Sequence, residues 1–113
     1  MKRKSIHLTQ FPVEMMNVAL KMNLEWGENW LRPIQQRMKK LYPQLTARET
    51  DSLNQWCVEV RKYAFVLAEE EYPLALANQK GTAMERVEQM YPQVDSENLS
   101  QLYNQGMYYA WHG

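Results

Sequence analysis

Apolar residues recur at helical spacing through almost the whole chain, and nowhere do they alternate with polar ones for long enough to make a strand. From Pro12 to Trp26 the polar positions Glu14, Asn17, Lys21 and Glu25, with Glu28 beyond, form one narrow wet stripe. Met15, Met16, Val18, Ala19, Leu20, Met22 and Leu24 fill most of the remainder. A helix with so wide an apolar surface is packed on several sides or presents a sticky face to a partner. Gly27 is expected to end it, Asn29 or a neighbour to cap the next helix, and Pro33 to lie near that helix's first turn. In this short second helix Ile34, Met38 and Leu41 share one face.

An element then appears twice, 49 positions apart: Leu41-Tyr42-Pro43-Gln44-Leu45-Thr46 and Met90-Tyr91-Pro92-Gln93-Val94-Asp95. Proline disfavours helix at the tyrosine before it, and Thr or Asp three residues after the proline is a strong N-cap. Each copy should therefore close one helix and open another. Arg37 and Arg86 fall in register with the repeat, as do Leu53 and Leu102. Thr46 with Glu49 reads as a capping box, and Thr82 with Glu85 as a second.

The helix opened at Thr46 should run from Ala47 to about Tyr72, where Pro73 stops or kinks it. Leu53, Cys57, Val60, Ala64 and Leu67 are spaced four, three, four, three along it, as in a packed seam. The stretch from Leu74 to Lys80 fits either a helical continuation or a linker, and Gly81 should break it. A short helix then carries Val87 and Met90, and a last one, capped by Asp95, places Leu99, Leu102, Tyr103, Gly106 and Ala110 on one side. The expected fold is all-α: a small compact bundle of three to five helices, spectrin-like or four-helix, with a long central helix. At 113 residues the chain is expected to form a single domain, with residues 1–11 as an extended or frayed arm.

Composition narrows the chemistry. One cysteine allows no internal disulfide and no multi-cysteine zinc site, and its place on the apolar seam predicts a buried, inert thiol. No apolar run is long enough to span a bilayer, and beyond the basic start Pro12, Glu14 and Asn17 break up any continuous apolar stretch, so a cytoplasmic protein is expected. Glu-x-x-His pairs are absent, His7 and His112 lie near the two ends, and the four glycines are isolated, which leaves no metal, cofactor or phosphate-binding pattern. No catalytic residue is assigned, and enzyme activity is not expected.

Formal net charge is zero, but residues 1–62 hold eleven Lys/Arg against six Asp/Glu, and residues 63–113 two against seven. Two features point to partners. Methionines and rings concentrate at the two ends, making Met15, Met22, Tyr108, Tyr109 and Trp111 candidate contacts for protein, a second copy of the chain first among them. The basic arm Lys2, Arg3 and Lys4, with Arg32 and, on the helix after Pro33, Arg37, Lys39 and Lys40, gives a second expectation, a phosphate-holding nucleic-acid surface. A small-molecule site between helices is the third. The leading expectation is a non-enzymatic, self-associating helical interaction module.

Overall fold

A computed structural model of the chain describes residues 11–112. Among these the fold is all-α, with helices α1 (Val13–Asn23), α2 (Gln35–Leu41), α3 (Ala47–Leu76), α4 (Ala83–Met90) and α5 (Ser96–His112), and one 3-10 turn at Gly27–Asn29. The long central helix of the sequence pattern is α3. Contacts divide the chain into two compact units, one ending at Val58 and the other starting at Glu59, so the boundary falls inside α3. The expected arm at residues 1–10 lies outside the described residues. Phe11, the last residue assigned to it, is buried and belongs to the core of the first unit.

In the first unit α1 buries Met15, Met16, Ala19 and Leu20, and Leu24 also turns inward. Asn17, expected on the wet stripe, is also buried, its amide donating to the Val13 carbonyl at 3.0 Å. The helix stops three residues short of Trp26. The Leu24 N–H is shared between the Leu20 and Lys21 carbonyls, and the Glu25 N–H reaches back only to Met22. Such tightened bonds close a helix before any glycine is needed. Gly27 instead takes φ +89 and opens the 3-10 turn. No side chain of its own caps α2. Ile34 precedes it, and the Ile34 N–H donates to Asn54 Oδ1 at 3.1 Å.

The Tyr-Pro-Gln element folds identically in both places. Tyr42 and Tyr91 adopt φ −127, ψ 79 and φ −130, ψ 73, outside the helical region as the following proline demands. Their N–H groups still bond the Met38 and Val87 carbonyls at 2.8 and 2.7 Å, closing α2 and α4. Their own carbonyls accept from Leu45 and Val94 at 3.0 and 3.1 Å, which makes each element a turn with proline at its second position. Leu45 and Val94 are both buried. Burial repeats at the same interval: Ile34 and Ala83, Met38 and Val87, Leu53 and Leu102 are all inside. Leu41, expected on the face of Ile34 and Met38, is instead about half exposed, and so is Met90 at the equivalent position of the second copy.

Both turns deliver a capped helix. Thr46 Oγ1 accepts the Glu49 N–H at 3.1 Å while Glu49 returns a carboxylate to the Thr46 N–H at 2.8 Å, a complete capping box. Asp95 accepts the Asn98 N–H at 2.9 Å. The box expected at Thr82 does not form. Its hydroxyl makes no cap bond, and the Glu71 carboxylate, reaching over from α3, takes the Thr82 N–H. A Cβ at position 81 would overlap that carboxylate, which as the end of a flexible side chain would have to shift. Gly81 is not the helix breaker.

In the second unit α3 passes through Pro73 and continues to Leu76. It ends with Asn78 at φ 59, the Asn78 N–H on the Ala75 carbonyl at 3.0 Å and the Gln79 N–H on that of Leu74 at 2.8 Å. That is a Schellman end, with asparagine in the left-handed place that glycine usually holds. The seam Val60, Ala64 and Leu67 is buried here, as Leu53 and Cys57 are in the first unit. Tyr91 meets Tyr63 edge to face at 5.7 Å.

These contacts yield three tests. Thr46→Ala should cost about 1 kcal/mol of unfolding free energy, the usual worth of a side-chain N-cap. Thr82→Ala should cost far less by the same denaturant titration. A Cβ at Gly106 would lie 2.7 Å from the Ala68 Cβ. Gly106→Ala should therefore destabilise, although alanine is intrinsically about 1 kcal/mol the better helix former, and Gly106→Ala with Ala68→Gly should recover most of the loss. Cys57, with no exposed surface, should label with a thiol reagent at a rate that tracks denaturant; fast labelling in native buffer would contradict the packed seam.

Candidate interaction surface

Helix α5 carries its rings outward because of how its first half is packed. Leu102 is fully buried, and one turn on Gly106 brings the backbone against Ala68 and Phe65 of α3. Successive helical residues turn by about 100°, so Tyr108 and Trp111, two and five residues on, point away from that side, while Tyr109, three residues on, stays near it at the edge of the contact with Phe65. Tyr108, Tyr109 and Trp111 are 46%, 36% and 67% exposed. The rings touch in series: Tyr109 rests on Phe65 at 5.7 Å and meets Tyr108 edge-on at 5.4 Å, and His112 lies 4.1 Å from Tyr108 and 4.5 Å from Trp111. The result is one continuous aromatic surface at the end of α5.

The other contacts expected from the sequence fare differently. Met15 is buried in the core of the first unit, because it lies on the side of α1 shared with Ala19, and is no surface residue. Met22 is half-buried. Tyr103 is half-buried too, on the wall of a cleft of about 420 Å³ in the second unit that Glu71, Lys80, Met84, Leu99 and Asn104 also line.

Two of the expected phosphate-binding cations are engaged within the fold. Arg37 pairs with Glu25 at 3.1 Å and donates to the carbonyls of Met22, Arg32 and Pro33, tying the connector between α1 and α2 to the start of α2. Lys39 donates to the Leu45 carbonyl. Arg32 and Lys40 are exposed. Lys2, Arg3 and Lys4 lie outside the described residues. Arg86, the counterpart of Arg37, lies 3.9 Å from Glu70 on the surface, so the arginine of each short helix faces a glutamate from the segment before it.

A second aromatic surface, which the helical pattern assigns to the first helix, belongs to the connector after it. Trp26 and Trp30 stack at 4.6 Å across the Gly27–Asn29 turn, and Trp26 is 49% exposed. Leu31, 54% exposed, holds φ 65, a left-handed conformation rare for leucine. Two tryptophans four apart with a glycine between them were the available signal. Helical periodicity absorbed the first of them into the core pattern.

Among the described residues no group of three or more His, Cys, Asp or Glu is arranged to hold a metal ion, and no helix is long and apolar enough to cross a membrane. Compared with family models, curated proteins and solved structures, the chain matches none, so its residues alone speak for its role.

Proposed function

We propose that this protein is a non-enzymatic helical interaction module that associates with itself through the C-terminal end of α5. The observation that carries this reading is the continuous surface of Tyr108, Tyr109, Trp111 and His112, three of whose rings are more than a third exposed. Tyr and Trp bury large areas at little cost in side-chain entropy, and they dominate the centres of protein interfaces. Tyr108 and Trp111 face away from the contact that Gly106 makes, and in this reading a second copy covers them. The fully buried Cys57 is in keeping with a cytoplasmic setting, where thiols stay reduced. Nucleic-acid binding is the weaker reading, since Arg37 and Lys39 are engaged within the fold.

Sedimentation equilibrium tests this directly. Tyr108→Ser with Trp111→Ser should weaken self-association by about tenfold or more, the effect of truncating central interface rings, while the helical circular dichroism stays as in the parent. A parent protein that remains monomeric at the highest concentration it tolerates would overturn the reading.

A further inference from the structure

We infer that the α5 surface of one copy docks on the Trp26–Leu31 connector of a second copy, a head-to-tail contact between unlike units. This inference rests on the proposed self-association and names the surface that α5 meets. Two observations carry it, and the first is charge. Up to Val58 the chain holds nine Lys/Arg against five Asp/Glu, and from Glu59 four against eight, so the units carry +4 and −4. Pairing α5 with α5 would bring two acidic units together. Pairing it with the first unit brings together units of opposite net charge, three of the first unit's cations, Lys2, Arg3 and Lys4, lying outside the described residues; this steers encounter and disfavours the like-charged arrangement.

The second observation is that the first unit offers a surface of matching chemistry. Trp26 and Trp30 present a stacked pair, and Leu31, the next residue in the chain, is exposed. Within the connector Glu25 is neutralised by Arg37, leaving Glu28 and Arg32, one charge of each sign. Aromatic faces of this kind accept further rings stacked or edge-on. Leucine held at φ 65 is a strained choice where glycine or asparagine would sit without cost, and strain of this sort persists where a side chain is needed in place.

An unlike contact has a signature that a like contact lacks. One variant, Trp26→Ser with Leu31→Gly, removes the connector's surface; glycine suits the backbone at position 31, so its local conformation is relieved. The other, Tyr108→Ser with Trp111→Ser, removes that of α5. Each alone should lose association by about tenfold or more, as for central aromatic contacts. Mixed in equal amounts, they should form a one-to-one pair, since each retains the half the other lacks, and the pair should sediment no further. Association of the parent should weaken as NaCl rises from about 50 mM to about 500 mM, where opposite charges are screened beyond a few ångströms. Should Trp26→Ser alone, which leaves Leu31 in place, and the double connector variant both associate like the parent while the α5 variant does not, α5 pairs with itself and the head-to-tail contact is wrong, though the proposed function stands. Two inactive variants that fail to pair when mixed would also overturn it. A parent that never associates would remove both readings together.

Discussion

Proline is the constraint on which the rest of this structure depends. In each unit it forbids helix at the tyrosine before it and fixes the backbone of the next turn. Without that stop, α2 would run on into α3 and α4 into α5, and neither pair could fold back over a shared core. The turn does more than interrupt. It buries one aliphatic side chain, Leu45 or Val94, and sets a polar residue where the next helix needs an N-cap. One six-residue element thus ends a helix, plugs the core and starts another, with nearly the same dihedral angles in both copies.

Where the two units differ, they answer the same need with different side chains. Each short helix begins with backbone donors that no earlier turn can satisfy. In the first unit Asn54 supplies the acceptor from the helix after it; in the second Glu71 supplies it from the helix before. The second solution sets a carboxylate close to the backbone at Gly81. The arginines at positions 37 and 86 diverge in degree. Arg37 is tied to several carbonyls around a connector, whereas Arg86 makes one loose surface pair.

Exposure of the aromatic surfaces results from this packing. Gly106 lets α5 approach α3 closely, Tyr109 lies at the edge of that contact against Phe65, and Tyr108 and Trp111, on the opposite side of the helix, stand outward. The early end of α1 likewise leaves Trp26 and Trp30 to stack on each other in a connector. Two ring-bearing surfaces, one on a unit of each charge sign, are the raw material of association.

Residue order alone was enough to place the helices, both Tyr-Pro-Gln turns, the caps at Thr46 and Asp95 and the buried seam through Cys57, because local sterics, capping and periodicity act over a few residues. It also marked Tyr108, Tyr109 and Trp111, since rings so placed cannot all turn inward. Other features depend on partners distant along the chain. Asn54 and Glu71 displaced the local caps read at Asn29 and Thr82. Met15 passed from surface to core, and Arg37 from a phosphate site to an internal tie. In each case the competing side chain lies too far off in sequence for periodicity to sense, and long-range packing selected the group that prevailed.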